Sequence, residues 1–223
     1  MATSGTTAFA PDIIEIIEEA YELAGSELRT GYQLKTARRS LDMLLIEWAN
    51  RGYNLWLIDQ ETASTVSGTA SYTLTASTVD VIEANILASG SNAEYQLNRI
   101  SAVDYMHIYD KTTTGRPSRI WVDRQLAGPV AYLWPVPDAI YTLKYWRLRR
   151  VEDSGSSTAT PDIPFRFLPA LTAGLAHKLA AKIPEAANRV PFLEAEFEKQ
   201  FNLAADEDRE KSSLFIRPYT RGC

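Results

Sequence analysis

Cysteine is all but missing. The 223-residue chain has a single thiol, Cys223, so neither an intramolecular disulfide nor a cysteine-built metal site can be drawn. Histidine is nearly as scarce: His107 and His177 stand far apart, without a Cys or HxxxH partner that would make a ligand set. No metal and no cofactor are expected. Long apolar runs are lacking too, since Leu44-Leu45-Ile46 and the stretch from Leu168 to Ala176 fall well short of the ~18 residues of a membrane span. The first ten residues hold no basic region followed by an apolar one, so no secretory signal is expected, and synthesis is placed in the cytoplasm. Positive charge is also in deficit. With 28 acidic against 23 basic residues the net charge is −5, opposite to the electrostatic footprint of a dedicated nucleic-acid binder.

Catalytic signatures are missing as well. Gly68, Gly90, Gly115 and Gly128 are isolated and none opens a phosphate-binding loop, and no G-x-S-x-G places a serine on a strand-to-helix turn. No catalytic residue is assigned. Carboxylates are plentiful, which leaves glycoside hydrolysis as the enzymatic alternative, with Glu83 as a candidate acid among aromatics. A dyad needs two such groups ~5–9.5 Å apart, and abundance alone does not supply that geometry. The aromatics Tyr132, Trp134, Tyr141, Tyr145 and Trp146 alternate along strands and are expected to pack in a core.

What is present is an ordinary globular composition, 45% hydrophobic and 23% charged, arranged in three zones. Asp12 caps a first helix with Ile13, Ile17, Ala20 and Ala24 on one face, Gly25 at its end, and Glu15, Glu18, Glu19 and Glu22 on the remaining surface. A second runs from about Gln33 to Arg51 on Leu34, Ala37, Leu41, Leu44, Leu45 and Trp48. Lys35, Arg38 and Arg39 form a basic cluster near its start, suited to phosphate, to neighbouring acids or to solvent.

From Leu55 the signal turns to Thr, Val, Ile and Tyr. Strands are expected over 71–74, 81–87, 94–99, 119–124, 130–134 and 142–148, making a sandwich or curled antiparallel sheet. Ser67-Gly68-Thr69 and Ser89-Gly90-Ser91-Asn92 read as hairpin loops. Ser101 to Asp104 reads as a capping box opening a short helix, and Trp134 to Asp138 as a turn. A Ser/Gly/Thr linker at 153–160 precedes a third helix carrying Leu168, Leu171, Leu175, Leu179 and Ile183, and a fourth from about Pro191 to Glu210 carrying Leu193, Phe197, Phe201 and Ala204.

The expected fold is α+β: a four-helix body from residues 11–54 and 162–211, with an antiparallel β-rich domain inserted at 55–152. Residues 212–223 make an extended basic and apolar tail. Because the only evident surface apolar excess lies in that tail, while acids cluster on the first and fourth helices, the free protein is expected to self-associate only weakly.

Several segments in order, Glu47 to Trp56, Thr112 to Ser118, Leu133 to Asp138 and Tyr145 to Asp153, followed by 162–180 and 189–211, resemble the head-to-tail adaptor family of short-tailed bacteriophages. The likeness covers residues 12–211 and rests on the order and number of the segments. It implies a structural protein of the virion, at the head-tail junction, forming a ring of twelve copies beneath the portal. The ring would join the portal to the tail nozzle, with a tail fibre or spike as a further partner, help to retain packaged DNA, and form part of the ejection channel. DNA would pass without tight binding and no membrane is involved. In such adaptors the C-terminal segment reaches into the portal, which here falls on Leu214, Phe215, Ile216, Arg217 and Tyr219. This chain has only about a dozen residues after its last helix, where some relatives have a longer arm. The alternative function is a tail-associated peptidoglycan hydrolase.

Overall fold

The computed structural model describes residues 5–6, 9–52, 55–88, 90 and 93–208. The chain is mixed α+β, and it divides into two compact units. One takes the described residues of 1–55 and 153–223, the other those of 56–152.

Of the five α-helices among the described residues, the first unit holds four. Helix α1 (Ile13–Ala24) opens on a capping box, in which the Asp12 carboxylate accepts the Glu15 N–H at 2.9 Å and Glu15 returns the bond to Asp12 N–H at 3.0 Å. Gly25, at φ 80°, closes it. Helix α2 (Gly31–Arg51) begins three residues before its apolar pattern does at Leu34, because Thr30 is the cap and Gln33 completes its box. Helix α4, Leu168–Ala180, is shorter than its stripe suggests, while α5, Val190–Glu207, contains the whole of its own. Ile183 lies beyond α4, where Pro184 starts a 3-10 segment, Pro184–Arg189, that leads into α5.

Helix α4 packs against α1, α2 and α5. Its small buried residues Ala170, Ala173, Gly174, Ala176 and Ala180 permit that crowding. A Cβ on Gly174 would stand 2.9 Å from the Phe197 ring and 3.0 Å from Leu44. The core beside it is aromatic. Trp48 on α2 stacks on Phe197 at 6.4 Å and tilts against Phe201 at 5.2 Å and Phe167 at 5.7 Å. Each such ring contributes ~1.5–3 kcal/mol by leaving water.

The second unit carries two four-stranded sheets. One runs β1 (Ile58–Ser64), β10 (Tyr141–Arg149), β3 (Thr78–Ala88), β4 (Glu94–Gln96), antiparallel throughout. The other runs β2 (Ser71–Thr73), β8 (Val130–Trp134), β7 (Arg119–Asp123), β5 (Asn98–Arg99). Alternation aims Val81, Ala84, Ile86, Leu143 and Tyr145 of the first sheet and Ile120, Val122, Ala131 and Leu133 of the second into one shared core. Helix α3 (Ala102–Met106) is capped by Ser101 and Asp104 in a reciprocal box.

Several expectations need correction. The sheets are not wholly antiparallel: β5 pairs parallel with β7, and β6 (Thr114–Gly115) pairs parallel with β9 (Val136–Pro137). The Trp134 to Asp138 segment leaves β8 through a cis Trp134–Pro135 peptide and then pairs again, because the Val136 N–H is free to donate to Thr113 where the flanking prolines have none. Ser67-Gly68-Thr69 is not a hairpin loop, since β1 and β2 belong to different sheets. The single strand expected over 94–99 is two short ones in different sheets, and β1 is a further strand, whose half-buried positions Asp59 and Glu61 are polar, so that its burial alternates without an apolar alternation in the sequence.

Candidate docking surfaces

The residues expected to reach the portal, Leu214, Phe215, Ile216, Arg217 and Tyr219, lie outside the described residues, as does the rest of 212–223. The surfaces that can be built from described side chains lie on the two units separately.

In the β unit, the edge strand β1 is clamped to β10 by charge. Arg147 donates to Asp59 through Nε at 2.6 Å and Nη2 at 3.2 Å, lies 2.9 Å from Glu61, and donates to Ser77 and Thr78. Its side chain is 8% exposed. The Arg147 hydrogen bonds hold the Asp59 carboxyl below the usual carboxylate range, against the opposing effect of burial. Burial, followed by its hydrogen bond to Glu61, pushes the Tyr145 hydroxyl up. Asp59, Glu61, Tyr145 and Arg147 are thus engaged with one another and with Ser77 and Thr78, which makes this cluster a structural clamp.

Glu83, the candidate hydrolase acid, stands exposed on β3 opposite Trp146. The small cleft beside it is lined by Gln96, Asn98 and Arg99 and brings no second carboxylate. His107 ends α3 in the β unit while His177 lies in α4, so the two histidines sit in separate units. Among the described residues no group of three or more His, Cys, Asp or Glu is placed to hold a metal ion.

The aromatics divide. Tyr141 and Tyr145 are buried as core, but Trp146 is 45% exposed, and Tyr132 lies on the outer face of its sheet. There Trp121 stacks on Tyr132 at 4.8 Å and on Tyr105 of α3 at 4.9 Å. The short helix is thereby pinned to the sheet. Arg119 sits 4.9 Å over Trp134 and Arg116 3.8 Å over Tyr95, which leaves a cationic, aromatic surface.

On the helical unit, Arg51 lies 4.7 Å over Phe201 and 5.2 Å over Phe197, held there by Glu198 at 2.9 Å and Glu47 at 3.0 Å. Burial by itself would raise Glu47, yet hydrogen bonds from Lys178 and Arg51 outweigh it and hold the carboxyl low. This closes one side of the Trp48 cage. The opposite character appears along α1, α4 and α5, where an open groove of about 800 Å³ is lined by Ile16, Leu23, Phe165, Leu168 and Ala173. Glu15, Glu18, Glu19, Glu22 and Glu196 line it as well. Phe9 and Phe165 beside it are 80% and 77% exposed. The expectation that apolar surface is confined to the tail is therefore wrong: these rings, together with Phe192, Tyr109 and Leu126, are exposed on folded parts of the chain. Sequence periodicity missed them because an apolar residue off the main stripe is read as noise unless its neighbours in space are known.

No curated protein matches the chain. A protein-family model described as SU10 adaptor protein matches residues 11–220, which takes in both units and most of the C-terminal segment.

Proposed function

This chain belongs to the SU10 adaptor protein family, a phage head-tail adaptor family, and from that premise we propose that it forms a ring between portal and tail nozzle. At the coarser level it is a structural adaptor of the phage virion that associates with other head or tail proteins. In the finer reading, twelve copies join the portal to the nozzle, with a fibre or spike attached to the same junction. The ring helps to hold packaged DNA and forms part of the path by which it leaves. The acidic balance of 28 carboxylates to 23 cations suits a conduit, since weak attraction to the backbone does not retard passage.

The portal contact is assigned to Leu214, Phe215, Ile216, Arg217 and Tyr219. The observation that carries this is the extent of the family match, residues 11–220, which includes that segment. Burying several of those side chains offers roughly 1.5–3 kcal/mol each before ordering costs of ~1–2 kcal/mol per backbone residue. A single tail is then a weak ligand, and a ring of them binds by effective concentration.

Electron microscopy of the protein mixed with its portal tests the reading. A ring of density capping the portal is expected, and it should disappear when residues 212–223 are deleted. A full-length protein that leaves the portal bare at high micromolar concentration would overturn the adaptor assignment. A truncated protein that still caps it would move the contact to the folded units.

A further inference from the structure

The helical unit carries two surfaces that complement each other and that do not meet within one chain. The first is the groove along α1, α4 and α5, apolar within and acidic along α1. Glu18, Glu19 and Glu22 are exposed and make no ion pair among the described residues. Glu196 is partly offset by Lys199 at 3.5 Å.

The second surface is the outward face of α2. Tyr32, Lys35, Arg39, Met43 and Ile46 fall at i, i+3, i+7, i+11 and i+14, which places them on one narrow stripe of a 3.6-residue helix. All five are exposed, Tyr32 to 77%, Met43 to 61% and Ile46 to 48%. Helix α2 buries Ala37, Leu41, Leu44, Leu45 and Trp48 on its other side, so the stripe is a second apolar face that the unit itself does not use. Lys35, Arg38 and Arg39 make no ion pair among the described residues, and the Arg38 Nε is buried without an acceptor. Asp42, at the edge of the stripe, is already engaged by the Ser154 N–H at 2.8 Å.

We propose that the α2 stripe of one copy seats in the α1/α4/α5 groove of a second copy, with Lys35, Arg38 and Arg39 facing Glu18, Glu19 and Glu22. Charge complementarity selects this occupant. A cationic, apolar helical ridge is the shape and sign that an acidic, apolar groove accepts, and both belong to the same chain. Both carry their charge along a helix at ~1.5 Å per residue, so successive cations and carboxylates can run alongside each other. Because ridge and groove are different patches, the contact is head-to-tail. Repeated from copy to copy it closes into a ring if the rotation between copies allows, or continues as a filament if it does not. The inference rests on the adaptor reading only for the expectation that the contact closes.

Two charge-reversed proteins test it. One carries Glu18→Lys and Glu22→Lys, the other Lys35→Glu and Arg39→Glu; all four side chains are exposed, and circular dichroism and thermal melting verify the fold of each. By sedimentation velocity at several hundred micromolar and low salt, the unmodified protein should associate, and should dissociate in 0.5 M salt as the Debye length shrinks to a few ångströms. Each variant alone should associate at least tenfold more weakly. An equimolar mixture should recover association, since the reversed groove of one matches the reversed ridge of the other. An unmodified protein that stays monomeric throughout, or a mixture no better than its parts, overturns the proposal. Unchanged association in both variants, with loss on deleting residues 209–223, would assign the groove to the C-terminal segment instead. Portal capping by each variant is scored separately, so a failed ridge-groove contact is distinguishable from a failed adaptor assignment.

Discussion

Replacing Gly174 by Ala sets two effects of known size against each other. In the interior of an exposed helix this exchange stabilises by ~1 kcal/mol, because alanine loses less backbone freedom on folding. Gly174 is not such a site. The new methyl would sit 2.9 Å from both Phe197 Cδ2 and Cε2, and 3.0 Å from a methyl of Leu44. Phe197 cannot swing aside cheaply, because it stacks on Trp48 with an interplanar angle of 2° and lies beneath the Arg51 guanidinium. Leu44 is wholly buried in the same core. Overpacking of this kind costs ~1–3 kcal/mol. With the propensity gain subtracted, a net loss of roughly 1 kcal/mol is expected, a fall of about 3–6 °C in the melting temperature of a unit this size. Urea denaturation followed by tryptophan fluorescence reads it directly, and Gly31→Ala is the control, since a Cβ there meets nothing within 4 Å. A Gly174→Ala protein stabilised by the full ~1 kcal/mol of an open helix site would refute the close packing of α4 on α2 and α5.

Other consequences are simpler to state. Asp59 is held low by Arg147, so its contribution to stability is present above the unfolded carboxyl pKa and lost as pH falls through its lower folded value. Because Asp59 is 41% exposed, that contribution is at most about 1 kcal/mol, and acid titration of stability should show a shallower loss in Asp59→Asn. Arg147→Met leaves Asp59 without its guanidinium donor beside Glu61, which keeps only the neutral donors Tyr145 and Thr75, and should cost about 2 kcal/mol, seen as an earlier denaturation midpoint. Ser101→Ala removes the cap of α3 and should cost ~0.5–2 kcal/mol, read by hydrogen exchange as faster opening around Tyr105; unchanged protection would mean that the Trp121 stack alone holds the helix. Glu83→Gln should leave peptidoglycan zymograms unaltered, and a lytic band lost with that one change would revive the hydrolase reading.

Local chemistry made part of this protein legible from the sequence alone. Asp12, Gly25 and Ser101 to Asp104 mark helix ends because a cap needs only residues within one turn of each other. The faces carrying Ile13, Ile17, Leu41, Leu44 and Trp48 are equally visible, because periodicity records which side leaves water. The order of short segments likewise carried the family resemblance. Strand partnership was not legible. Nothing in 94–99 says that its two halves serve different sheets, and nothing in 67–69 says that the flanking strands part, because pairing is settled by competition among distant edges. The same holds for Gly174, whose tight seat depends on Phe197 and Leu44 arriving from two other helices. The groove exists only because α1, α4 and α5, separated in the chain, place Ile16, Leu168 and Gln200 around one hollow. Sequence determines what each segment can bury, while tertiary packing decides which apolar surface is left over.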